Sequence, residues 1–430
     1  MSSDTKKGQE INMKKIISVL LVALLAFTLA VPAFAQDAAS DDDTLRFGDD
    51  GKFTILQLSD FQDSIIFRPM TKDFVNYLLD TVEPDLVVLT GDNIGPDSAK
   101  TYSMGVMNIN NFMSIFEKRG VKVAMVFGNH DADRNAITKE QQWEVYERYS
   151  CFVGERDSEE LTGYGTYNLP VMSSDGEKTA FNLWFFDSQE GNTENDLGGY
   201  GCVAKDQIEW YKKTENALTA QNGGEPVASI AFQHIIVPEV YSTFTKLWQK
   251  NEDGTIEIYN NADIYDSEYI VEWRNGAYAF PKQYIDEDTF LGESPAPPVY
   301  SNGQADALVE TGNVLGIVSG HDHVNSFVVP YRGMDIIQSP TCSFGDYGDE
   351  NRGARVITIS EDNTSEYETD VIFFREVYDL SDPEMYNRYV FNSDCDDFTA
   401  WDRILAMFKW LAYRAINSIG RLFNAETSGC

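Results

Sequence analysis

Apolar residues along this chain gather into short runs that stop abruptly at polar clusters. Phe53-Thr54-Ile55-Leu56-Gln57-Leu58 leads into Ser59-Asp60, and Leu86-Val87-Val88-Leu89-Thr90 into Gly91-Asp92-Asn93. Val121 to Phe127 leads into Gly128-Asn129-His130-Asp131, and Val314 to Ser319 into Gly320-His321-Asp322-His323. Runs this short, rich in β-branched residues and bounded by Gly or Asp, predict strands buried on both faces. Helical spacing lies between the first three, at Thr71 to Val82 and Tyr102 to Arg119. Strand–helix–strand alternation predicts a largely parallel sheet, in which ligands sit beyond the carboxyl ends of the strands. Each run delivers its Asp, Asn or His at that end.

Further strands are predicted at Thr179 to Phe186 and Ala228 to Phe232. Four more, at Ser326 to Pro330, Met334 to Gln338, Arg355 to Ser360 and Asp370 to Arg375, read as one antiparallel run closing a second sheet. The tract 241–307 is acidic, rich in Tyr and interrupted by Pro295, Pro297 and Pro298, and reads as a loop-rich insertion beside the site. Its Tyr241, Trp248, Tyr259, Tyr265, Tyr269 and Trp273 are expected to pack the loop; stacking on a nucleobase or sugar is the sharper alternative. The main domain is expected over 51–378 and a C-terminal extension over 379–430. Within the extension, apolar residues recur at helical spacing from Trp401 to Phe423, giving one broad apolar face, with Arg403, Lys409, Arg414 and Arg421 on the polar one. The expectation is a basic amphipathic helix over 400–424 docked on its own domain through the apolar face. The alternative is a peripheral contact with an anionic membrane.

The N-terminus carries a different signal. Lys14 and Lys15 precede the apolar run Ile16 to Ala30, and Ala33-Phe34-Ala35 supplies an A-x-A site. This predicts a secretory leader over 1–35, with Met13 as an alternative start and an uncleaved anchor as the alternative fate. An acidic linker follows over 36–50, and the protein is expected to be exported: secreted, on the cell surface or in the periplasm. The 430 residues hold 33 Lys+Arg against 69 Asp+Glu, a formal charge of −36. That balance argues against a nucleic-acid polymer as partner, which needs clustered cations. Five cysteines, Cys151, Cys202, Cys342, Cys395 and Cys430, lie far apart with no C-x-x-C pair, so inert thiols with at most one optional disulfide are expected.

The chain has only four histidines, His130, His234, His321 and His323, and each follows an apolar run. With Asp60, Asp92 and Asn129 they form an ordered set of hard oxygen donors and imidazoles. Such a set suits two di- or trivalent cations about 3.5–4 Å apart, sharing a bridging carboxylate and activating water against phosphorus.

These motifs resemble the calcineurin-like metallophosphoesterase superfamily, in its purple-acid-phosphatase-like branch. The family pattern D-x-H, G-D, G-N-H-[DE], a lone His and G-H-x-H corresponds to Asp60-Phe61-Gln62, Gly91-Asp92, Gly128-Asn129-His130-Asp131, His234 and Gly320-His321-Asp322-His323. Asn182 to Ser188, Gly199-Tyr200-Gly201, Gln207 to Tyr211 and the continuation Val324-Asn325 extend the likeness over about Lys52 to Arg375. The resemblance implies an α/β (α+β) fold: a four-layer sandwich of two mixed β-sheets flanked by helices. It implies Asp60 and His323 at one metal, Asn129, His234 and His321 at the other, and Asp92 bridging. His130 would face a small phosphorylated substrate and protonate the leaving oxygen, and Arg134 would contact a phosphate oxygen or stay an exposed loop arginine. Gln62 departs from the pattern, where the family commonly has His. Its amide oxygen, or Asp63, would replace the nitrogen and favour Mn, Fe or Mg over Zn. The expected activity is metal-dependent phosphate-ester hydrolysis, with monoesters favoured. The rival is a phosphoesterase-fold binding or cell-surface protein weakened at Gln62.

Overall fold

The computed structural model describes residues 44–63, 65, 67–192, 197–259, 265–393 and 398–427. The predicted leader, most of the acidic linker, Cys395 and Cys430 fall outside these residues. Two mixed sheets dominate. One has five strands in the order Asn363–Phe373, Gly353–Ser360, Lys52–Leu58, Leu86–Thr90, Lys122–Val126. The last three run parallel, while Gly353–Ser360 is antiparallel to both of its neighbours. The other has eight strands, with Thr179–Phe185, Ser229–Phe232, Val314–Ser319 and Met334–Gln338 parallel at its centre.

Alternation along the central strands builds the layers. Phe185, Phe232, Val318 and Ile337 point into one core, shared with Leu56, Val87 and Val123 of the five-stranded sheet. The residue before each of the four, Trp184, Ala231, Ile317 and Ile336, points into a second core with Trp210, Tyr211 and Leu308. A period of two is what places successive side chains on opposite sheet faces. The second core is roofed by the helices Lys205–Gln221 and Gln304–Thr311. Helices Pro69–Val82 and Tyr102–Arg119 bury Phe74, Leu78, Phe112 and Phe116 in the first core. Thr101 caps the second of these helices by accepting from the Met104 N–H, and Gly120 ends it at φ 64°.

Several expectations need correcting. The four late strands do not form one run: Asn325–Tyr331 pairs with Met334–Gln338 in the eight-stranded sheet, and the other two belong to the five-stranded one. Chain proximity favoured a single meander, but burial sends the second hairpin against Lys52–Leu58. The insertion is not loop-rich: Thr245–Lys250, Ile256–Ile258, Tyr265–Trp273 and Gly276–Pro281 form a four-stranded antiparallel sheet. Tyr241 stacks on Trp273 at 4.1 Å and 4°, and Phe244 and Phe280 pack against Phe327 of the eight-stranded sheet. The end of the linker is structured, since Leu45–Arg46 pairs with Val171–Met172 and Leu45 and Phe47 are buried. Cys151, Cys202 and Cys342 are buried, as inert thiols would be, and Cys202 Sγ donates to Tyr300 Oη at 3.1 Å.

The C-terminal helix Ala400–Thr427 forms, preceded by the helix Pro383–Asn392, but its docking is the reverse of the expected one. It turns Ala406 and Trp410 inward, with Trp410 stacked on Phe391 at 6.1 Å, and leaves Trp401, Leu405 and Phe408 exposed. The neighbouring helix is short and offers too little apolar surface to take the wide face. Among the described residues no helix is long and apolar enough to cross a membrane.

Candidate metal centre

The site lies where five strands from both sheets end. Asp60 follows Lys52–Leu58, Asp92 follows Leu86–Thr90, and Asn129 and His130 follow Lys122–Val126. His234 follows Ser229–Phe232, and His321 and His323 follow Val314–Ser319. Each chain must turn sharply there to aim a side chain inward. Asp60, Gln62, Asp92 and His321 accordingly adopt φ of 56°, 35°, 49° and 77°, a left-handed region that non-glycine residues enter at a cost. The glycines beside them are required by close approach. A Cβ on Gly128 would lie 2.2 Å from Asp92 Oδ1, and one on Gly320 would lie 1.8 Å from Ser59 Oγ.

The side chains converge. One carboxylate oxygen each from Asp60 and Asp92 and a ring nitrogen of His234 lie within 4.8 Å of one another, all buried. His234 Nε2 sits 3.3 Å from Asp92 Oδ2 and 3.0 Å from Asn129 Oδ1. His323 Nε2 is 3.4 Å from Asp60 Oδ1. The Gln62 amide donates to Asp92 Oδ2 at 2.7 Å. The His321 ring lies 5.1 Å from that of His234. Asp63, the alternative to Gln62, is turned away: its carboxylate accepts from the Arg68 N–H at 3.0 Å and the Thr71 hydroxyl at 3.1 Å, tying the start of the Pro69–Val82 helix.

Neighbours fix the imidazoles. The Thr90 carbonyl accepts from His234 Nδ1 at 2.8 Å and the Tyr347 carbonyl from His323 Nδ1 at 2.9 Å. A carbonyl can only accept, so both Nδ1 atoms carry protons and both Nε2 atoms face the centre. Tyr347 also lies flat on His323 at 4.0 Å and 9°, and Tyr200 stands edge-on to His321 at 4.3 Å. Sequence reasoning missed these supports. Tyr200 had a signal in its flanking glycines; Tyr347 and the Thr90 carbonyl had none.

The electrostatics are those of crowded charge. Burial alone would lower the His234 imidazole, but the Asp92 carboxylate outweighs it and pushes it up to about 10. His323 is likewise lowered by burial and raised by Asp60, to about 9. Burial pushes His321 down to about 3, helped by His234. Burial would raise Asp92, yet His234 and His130 hold it well below the usual carboxylate range. Each carboxylate thus has an imidazole as its close charge partner, Asp92 with His234 and Asp60 with His323. Asp131 completes the support: its carboxylate accepts from Ile94 at 2.9 Å and Gly128 at 2.7 Å, and burial beside Asp92 pushes it up to about 7.

Two buried polar atoms here, Gln62 Oε1 and His321 Nε2, make no hydrogen bond, and Asp60 Oδ1 has only the long 3.4 Å contact to His323 Nε2. Buried polar atoms are nearly always satisfied, so two orphans beside an under-satisfied carboxylate in one cluster fit a cation site. Hard oxygens mixed with imidazole fit Mn, Fe, Zn or Mg. At the rim, His130 is half-buried; its backbone N–H donates to Asp92 Oδ1 at 2.7 Å, and its Nδ1 lies 3.3 Å from Asp133 Oδ2. Arg134 is exposed and held by ion pairs to Asp97 at 3.0 Å and Asp133 at 3.3 Å, so neighbouring carboxylates already balance its charge.

An Arabidopsis thaliana protein named probable inactive purple acid phosphatase 14 is 24% identical over 384 residues, spanning 80% of this chain and 82% of its own. The Saccharomyces cerevisiae phosphatase DCR2 is 29% identical over 257 residues, 53% of this chain and 42% of its own. A solved dimetal phosphatase from Danio rerio superposes with a TM-score of 0.41 at 12% identity, over 75% of this chain and 99% of its own. The family model for calcineurin-like phosphoesterases matches residues 53–325, from the first strand of the five-stranded sheet to just past His323. This chain belongs to the calcineurin-like phosphoesterase family.

Proposed function

We propose that this protein is an exported phosphoesterase that holds two di- or trivalent metal ions and hydrolyses phosphate esters, monoesters by preference. The observation that carries the reading is the convergence of the Asp60, Asp92 and His234 ligand atoms, buried, beside the unpaired Gln62 Oε1 and His321 Nε2. Asp60, Gln62 and His323 would hold one ion, Asn129, His234 and His321 the other, and Asp92 both. When bound, such ions supply Lewis acidity and a hydroxide nucleophile near neutral pH. The chain's own groups do the rest. Asp131 and the glycine turns keep Asp92 in place. His130, with Nδ1 turned to Asp133, keeps Nε2 for the proton that the departing alcohol oxygen requires. Export rests on the N-terminal basic–apolar–A-x-A pattern, and the monoester preference on the fit between export and phosphate scavenging.

A second reading, a binding protein without turnover, draws on Gln62 in place of the family's histidine and on plant relatives whose names include the word inactive. Metal content and turnover separate the two. The purified protein should contain about two ions per chain and cleave an aryl phosphate faster than the corresponding aryl diester. His130→Ala should lower kcat about 100- to 10,000-fold with metal content unchanged. Two bound ions without cleavage of either ester would establish the second reading.

A further inference from the structure

The helix Ala400–Thr427 turns its apolar side outward. Trp401 is 76% exposed, Phe408 60% and Ile416 65%, with Ile404, Leu405 and Leu411 between them also exposed. At the pitch of an α-helix these positions share an arc of about 140°. The opposite side, around Ala406 and Trp410, is the one that meets the Pro383–Asn392 helix. Isolated exposed apolar side chains are ordinary, but a continuous stripe over four turns marks an interaction surface.

We infer that this helix lies in the surface of an anionic lipid membrane, with Trp401, Leu405, Phe408 and Ile416 inserted among the acyl chains. Two observations choose lipid over a second copy. The stripe is broader than the narrow seam that a helix pair covers, and a plane can cover an arc of that width. Charge is complementary too: residues 400–427 carry four Lys or Arg against two Asp or Glu in a chain of net charge −36. The acidic body is repelled by anionic headgroups, so the cationic helix is the part that such a surface attracts. Two identical cationic helices would repel each other. Lys409 is exposed at the edge of the stripe, where a headgroup would lie.

The test is flotation of the full-length chain with phosphatidylcholine vesicles, with and without phosphatidylglycerol. The wild type should float with the anionic vesicles, and more weakly without phosphatidylglycerol. The double variant Trp401→Ser/Phe408→Ser should bind at least about tenfold less. Its thermal midpoint should be unchanged, since both side chains are exposed. Lys409→Glu should weaken binding to the anionic vesicles alone. Equal flotation of the wild type and the double variant would overturn the inference, whether another segment or none binds lipid. So would a dimer in analytical ultracentrifugation that the double variant abolishes while vesicles bind neither form.

Discussion

At the scale of single residues, space at the site is allotted atom by atom. Gly128 faces Asp92 so closely that any side chain must displace the carboxylate, because a Cβ would also lie 2.3 Å from the Asp92 backbone nitrogen. Gly128→Ala should therefore cost about 1–3 kcal/mol of stability and lower bound metal, measured by thermal denaturation and elemental analysis together. A variant with normal metal content would refute this view of the turn. Away from the site, Asp288 and Asp370 crowd each other, both accepting from the Val371 N–H. Burial, together with Asp370, pushes the Asp288 carboxyl up to about 7. The folded state then holds a proton that the unfolded chain releases near the ordinary carboxylate value. Stability is therefore lost as pH rises from about 4 toward 7. Asp288→Asn should flatten that decline, so its melting advantage over the wild type should be larger at pH 8 than at pH 5. An advantage independent of pH would contradict the pairing.

Between elements, one buried arginine joins the two sheets. Arg355 on Gly353–Ser360 is 1% exposed and donates to Ser339 Oγ at 2.9 Å, the Gln338 carbonyl at 3.0 Å and Thr369 Oγ1 at 3.1 Å. It thereby links the five-stranded sheet to the Met334–Gln338 strand, beside the turn that carries His321 and His323. Arg355→Leu removes the charge but leaves those acceptors unsatisfied, so a loss of about 3 kcal/mol in chemical denaturation is expected. A neutral result would mean that water or repacking satisfies the acceptors. At this scale the sequence was partly readable. Runs such as Leu86–Thr90 and Val314–Ser319 matched their strands because they are apolar up to a final Thr or Ser and a glycine follows each. Thr245–Lys250 and Ile256–Ile258 were not legible, since a half-exposed strand with charges and an exposed Ile looks like a loop.

For the molecule as a whole, the proposed metal centre makes a testable prediction about stability. Asp60 and Asp92 are buried carboxylates whose only close cationic partners, among the described residues, are the imidazoles of His323 and His234. Chelation should lower the thermal midpoint by several degrees, since an ion held at a hundred times its dissociation constant adds about 2.7 kcal/mol to the native state. Restoring Mn, Fe, Zn or Mg should recover the midpoint, and a midpoint indifferent to chelator would argue against a metal-dependent native state. The sequence by itself determined which polar residues stand at the ends of the buried strands. Asp60, Asp92, Asn129, His130, His234, His321 and His323 each follow an apolar run, and the ends of buried strands are fixed by local pattern. It also determined that Trp401 to Phe423 is an amphipathic helix, because periodicity is local. Only tertiary structure decided which strands neighbour each other, that Gln62 rather than Asp63 reaches Asp92, that Tyr200 and Tyr347 brace the imidazoles, and that the C-terminal helix turns its apolar face outward. Each of these depends on contacts between segments far apart in the chain, set by burial and hydrogen-bond satisfaction that no local window contains.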